Sequence, residues 1–229
     1  MLNYIPILTT LFSIYFFIEI FKHYKVKSSS YLFWWTLGVL TFGMGTFTES
    51  INALYGWSPF NTRIWYIVGA LLGGFPMAQG TIYLLMKKRT ANVLTLIFTS
   101  LIVIATICVL LTPITLPEGF DYQLTGKIFT WQWVRYFSPF INIYSFIFLV
   151  GGALYSAYKY FKDIQARARY IGNILIAIGA LLPGIGGTFT RMGYVHVLFV
   201  TEFTGLVLIY FGYRTIKNDR GISVHHNQQ

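Results

Sequence analysis

Seven long apolar runs, separated by short polar stretches, constrain this chain more than any other feature. They cover residues 4–21, 31–53, 64–86, 93–111, 136–158, 170–189 and 195–213. A helix needs roughly 20 apolar residues to cross the hydrocarbon of a bilayer. In lipid, every backbone N–H and C=O must pair inside its own segment or inside a closed barrel. Barrel strands are about ten residues long and alternate in polarity; these runs are longer and do not alternate. The pattern predicts an all-α, polytopic membrane protein with seven transmembrane helices, a single domain over 1–213 and a polar cytoplasmic tail over 214–229.

Charge supports this class and then orients it. Only 10% of the residues are charged, against about 25% in soluble domains, which excludes a soluble enzyme and a disordered chain. The first run lacks the basic leader and small-residue cleavage site of a signal peptide; its basic residues follow it. The longest loop, 112–134, is too short for a core of its own. The single cysteine, Cys108, leaves no partner for a disulfide within the chain. Of the 17 Lys and Arg residues, thirteen fall in segments 22–30, 87–92, 159–169 and the tail, and Arg63, Lys127, Arg135 and Arg191 fall on the other side. Positive residues stay inside, so the N-terminus is expected outside and the C-terminus in the cytoplasm, in a cell (inner) membrane. The net charge of +10 is thus an orientation signal, and no nucleic-acid partner is expected. Trp57, Trp65, Trp131 and Trp133 would mark the outer interface, Trp34 and Trp35 the inner one.

A short repeat organises the runs. Gly45-Thr46-Phe47-Thr48 lies in the second run and Gly187-Thr188-Phe189-Thr190 in the sixth. Each is in the second helix of a triplet that starts outside, so runs one to three and five to seven read as parallel repeats joined by run four. This 3+1+3 layout resembles that of the SWEET sugar transporters and, more loosely, the opsin-like and receptor-like seven-helix proteins. The resemblance covers architecture only. The Pro-Gln dipeptide of PQ-loop transporters is absent, with Pro76 and Gln79 three residues apart, and the last run lacks the lysine that retinal requires, Lys217 lying beyond its end. No cofactor is expected.

Polar residues at membrane depth are expensive, so each is a candidate for function. At about 1.5 Å rise per residue, Glu49 lies roughly 6 Å, Asn142 roughly 9 Å and Glu202 roughly 10 Å below the outer ends of their helices. Gln79 and Asn173 lie deeper. Arg63, Arg135 and Arg191 cap the outer ends of runs three, five and six, placed to balance or gate the two carboxylates. Gly38, Gly45, Glu49 and Asn52 share one face of the second helix. Gly69, Gly73, Pro76, Gly80 and Tyr83 share one of the third, and Asn173, Ala177, Ala180, Gly184, Gly187 and Arg191 one of the sixth. These small faces predict helix seams, and Pro76, Pro139 and Pro183 predict kinks.

Three functions compete. The first is binding and passage of a small polar solute or ion, with proton linkage as one form of it, along Glu49, Glu202, Asn142, Gln79 and Asn52. The second is a sensor or accessory subunit whose basic loops dock a cytoplasmic partner; a homo-oligomer is compatible with either. The third is a metal-dependent or lipid-modifying membrane enzyme, for which His196 with the two glutamates is the sole candidate ligand set. No catalytic residue is assigned.

Overall fold

The computed structural model describes residues 4–226, and the side chains of all of these except Arg191 and 220–226. The chain divides between Ser145 and Phe146 into two compact units. Each is built from helices: α1 (Ile5–Lys27), α2 (Ser30–Tyr55), α3 (Pro59–Trp65), α4 (Phe75–Leu85), α5 (Lys88–Leu111) and α6 (Phe137–Ser145) in the first, α7 (Gly152–Tyr160), α8 (Arg167–Arg191) and α9 (Val195–His226) in the second. Six helical segments are long and apolar enough to cross a membrane: Ile5–Lys27, Pro59–Leu85, Lys88–Leu111, Gln132–Tyr160, Ile164–Thr190 and Val195–Asp219. Integral membrane proteins are built from such segments, whose exposed leucines, isoleucines and phenylalanines suit lipid contact.

The expected second span is the exception. Its helix α2 has 26 residues, but glycine, threonine, serine, Glu49 and Asn52 dilute its apolar run. Much of that polarity is buried: Thr36, Thr41, Thr46, Thr48, Glu49 and Ser50 are all enclosed. The hydroxyls are satisfied locally, as low-dielectric surroundings demand. Thr36 donates to Leu32 O, and Ser50 to Thr46 O. Across the seam, Thr10 Oγ1 of α1 lies 3.0 Å from Thr46 Oγ1 and 3.3 Å from Ser50 Oγ. The α1–α2 hairpin turns on Ser28, which takes the left-handed conformation (φ 43°) and returns its N–H to Tyr24 O.

The third expected span is broken. Ser58 caps α3 by accepting from Asn61 N, with Pro59 beginning the helix as its fixed φ favours. A π-helical turn follows over Tyr66–Leu71, the chain bends through 72–74, and α4 begins with Pro76 in its first turn. The kink expected at Pro76 is therefore a full interruption, because proline has no N–H for the preceding turn. Gly73, expected in a helix seam with Gly69, belongs to this bend: its N–H bonds Gly69 O, and a Cβ there would strike the same carbonyl. Gly38 and Gly80 do serve a seam. Added side chains would run into Met77 and Trp35, respectively. Trp35 is thus a buried packing residue rather than part of an interfacial belt.

Residues 112–136 fold down onto this unit. A bridge pairs Ile114 with Phe129, and Ile128, Phe129 and Val134 are fully buried. Phe129 meets Tyr66 edge-on at 5.1 Å, and Trp57, Phe120 and Tyr122 form an aromatic cluster.

In the second unit the chain enters on a π-helical turn, Phe146–Gly151, then α7. The dominant seam is α8 against α9. Glycines 172, 179 and 186 recur every seven residues on α8, and face Gly212, Gly205 and Leu198, also seven apart but running the other way. A Cβ on Gly172 would lie 2.7 Å from Gly212 O, and one on Gly212 2.5 Å from Gly172 O. Between Gly179 and Gly205 the distance is 2.6 Å in both directions, and from Gly186 to Leu198 Cα it is 2.8 Å. Two helices thus approach backbone to backbone in antiparallel register, with dispersion supplying the attraction in lipid. Pro183 sits inside α8 without ending it. It cannot donate to Gly179 O, and Gly205 leaves room for that carbonyl and for the proline ring (3.1 Å to Cδ).

The expected α8 face is therefore displaced. Ala177 is buried, but added side chains on Gly184 and Gly187 would meet nothing within 4 Å. The last helix is also longer than the expected span, continuing through the expected polar tail to His226. Lys217 lies within it, its Nζ 5.8 Å from the Tyr213 ring. Asp219 receives Arg169 Nε at 3.0 Å, joining the far end of α9 to the start of α8.

Gly179→Leu or Gly205→Leu should lower stability by about 1–3 kcal/mol, the range for overpacking. Gly184→Leu and Gly187→Leu should stay within about 0.5 kcal/mol of the parent. Thermal unfolding of the purified protein in detergent separates the two pairs; equal losses would refute the register.

Candidate functional site

Glu49 is the most enclosed carboxylate candidate, at 4% exposure on α2. Its Oε1 accepts a hydrogen bond from Trp65 Nε1 at 3.1 Å. Trp65 is the last residue of α3, immediately before the π-helical turn. On the same face of α2, Gly45 lies against Gly69 of that turn: a Cβ on Gly45 would be 3.6 Å from Gly69 Cα. Asn61 Nδ2 donates to Thr48 O at 2.8 Å, fastening α3 to α2 beside the carboxylate. One turn along α2, Asn52 is half-buried. Among the described residues its enclosed Oδ1 meets no hydrogen-bond donor, which is uncommon for a buried acceptor.

The break beside Glu49 leaves backbone carbonyls to be satisfied from outside the helix. Ser138 Oγ and Asn142 Nδ2, both on α6, donate to Ala70 O at 3.2 and 3.3 Å. Asn142 also bonds Ser138 at 2.9 Å. An interrupted membrane helix is tolerated when neighbouring side chains take up its freed groups in this way. Asn142 is exposed elsewhere on its surface.

Gln79 is enclosed in a saturated network. It is 0% exposed; Nε2 donates to Ala91 O (3.0 Å) and Thr95 Oγ1 (2.7 Å), and Oε1 accepts from Tyr144 OH (2.6 Å). Thr95 is also 3.2 Å from Tyr83 OH, which donates to Asn92 Oδ1 at 2.8 Å. The network ties α4, α5 and α6 together under an aromatic group in which Tyr144 stacks on Phe98 at 3.7 Å between centroids. Tyr144 and Thr95 were not among the expected site residues. Tyr144 is two positions from Asn142, about 200° round a helix, so a face chosen for Asn142 excludes it.

The arginines take local roles. Arg63 donates to the carbonyls of Val109, Leu110 (3.0 Å) and Thr112 (2.7 Å). These are terminal carbonyls of α5 and its cap, where orphan acceptors and the helix dipole favour a cation. Arg135 donates to Gln132 Oε1 at 2.7 Å, within the 112–136 fold. The side chain of Arg191 lies outside the described residues, as do those of Arg220, His225 and His226. Glu202 is half-buried on α9 in the second unit. His196 is exposed, its ring 6.3 Å from Phe199. Among the described residues no three His, Cys, Asp or Glu side chains converge as a metal centre needs.

No family model, curated protein or solved structure matches the chain.

Gln79→Leu should cost about 1–3 kcal/mol by stranding buried polar partners; thermal melts in detergent measure this. Arg63→Ala should cost a similar amount. Arg63→Lys should recover only part of it, because a single ammonium lacks the guanidinium fork that reaches several carbonyls at once. Full recovery by lysine would rule out that geometry.

Proposed function

We propose that the chain is a seven-span integral membrane protein, N-out and C-in in a cell (inner) membrane, which binds a small cation or other small polar solute at Glu49 and passes it through the helix bundle. The observation that carries this reading is the enclosed Glu49 carboxylate set against a π-helical, interrupted membrane helix. π-Turns recur at functional sites, and discontinuous helices line solute sites in transporters. Asn52, whose Oδ1 meets no donor among the described residues, would complete the polar face. Gln79, Asn142, Arg63 and Arg135 would hold the helices in position.

The seventh span in this reading is α2. Its 26 residues give roughly 39 Å at 1.5 Å each, beyond the roughly 30 Å hydrocarbon. Phe33, Leu40, Met44, Phe47 and Leu54 form an exposed apolar stripe along it at steps of 7, 4, 3 and 7. Orientation follows from the thirteen-to-four division of basic residues. The 3+1+3 order rests on the two Gly-Thr-Phe-Thr segments, one in α2 and one in α8.

The test is flux into proteoliposomes, for protons and a panel of small cations and neutral solutes. Glu49→Gln keeps an acceptor for Trp65 Nε1 while removing the charge. It should cut flux by about tenfold or more, the loss of roughly 1.4 kcal/mol of interaction, with the melting temperature little changed. Unchanged flux in that variant, or no flux by the parent for any member of the panel, would overturn the reading.

A further inference from the structure

A groove of about 330 Å³ opens between α7 and α8, lined by Leu154, Ala157, Tyr158, Phe161, Tyr170 and Ile174. Its walls are almost wholly apolar, and Tyr158 and Phe161 stand largely exposed, as does nearby Ile164. It lies where the segments Gln132–Tyr160 and Ile164–Thr190 end, at the level expected for a membrane–water boundary. Aromatic side chains favour that level.

The charges near this groove are predominantly basic. Lys159 and Lys162 follow directly on the lining residues Tyr158 and Phe161, and Arg167 begins α8 three residues before Tyr170; all three are exposed. The nearby acid, Asp163, has Oδ1 engaged with the N–H groups of Gln165 and Ala166. Arg169 is already committed: its Nε pairs with Asp219 at 3.0 Å, and its guanidinium lies 5.5 Å from the Tyr160 ring. Three exposed basic residues therefore lie within three positions of residues that line an open apolar slot.

We infer that this groove is a binding site for an anionic phospholipid of the bilayer, one acyl chain lying against Leu154, Tyr158 and Ile174 and the headgroup phosphate held by Lys159, Lys162 and Arg167. Basic pockets between membrane helices recognise anionic headgroups through charge, and a neutral zwitterionic lipid gains less from the same residues. The acyl chain replaces water on the apolar wall, while the exposed lysines and arginine carry the selectivity. This site is separate from Glu49 and requires only that the chain reside in a bilayer, so its failure and that of the transport reading are independent.

The experiment is native mass spectrometry of the full chain released from micelles containing equal phosphatidylglycerol and phosphatidylcholine. The parent should retain phosphatidylglycerol in preference, by roughly fivefold or more. The triple variant Lys159→Gln/Lys162→Gln/Arg167→Gln should lose that preference, and Leu154→Trp, an exposed position that fills the slot, should lower retention of both lipids. Lys87→Gln/Lys88→Gln/Arg89→Gln, which removes as much charge from another basic turn, should leave the preference intact. Equal retention of the two lipids by the parent, or an equal loss in the control triple variant, would overturn the site. So would a lipid-free dimer that Leu154→Trp abolishes, since a second copy would then occupy the groove.

Discussion

Backbone hydrogen bonding without water is the condition on which the rest of this structure depends. A carbonyl released in hydrocarbon has no solvent to receive it, so each irregularity must come with its own donor. Where the π-helical turn and the bend before Pro76 free Ala70 O, Ser138 and Asn142 of α6 supply the hydrogens. Where α5 ends, Arg63 reaches across from α3 to its last carbonyls. Where Pro183 withholds an N–H from Gly179, the answer is room rather than a donor: Gly205, lacking a Cβ, lets α9 pass close to that oxygen. The polar residues of an apolar chain are thus placed largely by the breaks in its helices.

Association of the helices follows a different rule. With no hydrophobic drive between surfaces that are both apolar, close approach must come from small residues. The α8–α9 pair does this with glycines seven apart on both helices, whereas α2 packs on α4 by inserting Trp35 and Met77 opposite single glycines. The first device gives a long uniform seam, the second a few deep interlocks. Hydroxyls that bond their own helix carbonyls, as Ser50 and Thr36 do, add little polarity to either.

The polar residues then fall into two kinds. Gln79, on α4, spends both amide hydrogens on α5 and its oxygen on α6, which rigidifies the unit and leaves little for a solute. Glu49 is held by an indole at the edge of a helix break, and the oxygen of neighbouring Asn52 meets no donor among the described residues. An ionisable group enclosed at such a point is costly to keep, and a binding role would explain why the chain carries it.

Length and apolarity, which depend on composition along a single segment, were legible directly: helical class and six of the membrane-length segments follow from runs of lipid-compatible residues. An irregularity at Pro76 was legible too, because a missing N–H is a property of one residue, but its extent was not, since Pro183 lacks the same N–H and sits inside α8. The partners were not legible. Arg63 was expected opposite a carboxylate and lies at a helix end, because charge alone does not say whether an acid or a row of carbonyls is nearer. Gly184 and Gly187 were expected on a seam face, and Gly179 and Gly186 form the seam with α9 instead, because several small faces coexist on one helix and only the partner's own heptad selects among them. Tyr144 and Thr95 carried no signal until α5 and α6 brought them to Gln79. The sequence by itself determined what could lie in lipid, since transfer free energy is nearly additive over a segment. The tertiary structure alone decided which polar atom satisfies which, since a hydrogen bond depends on the position of two groups far apart in the chain.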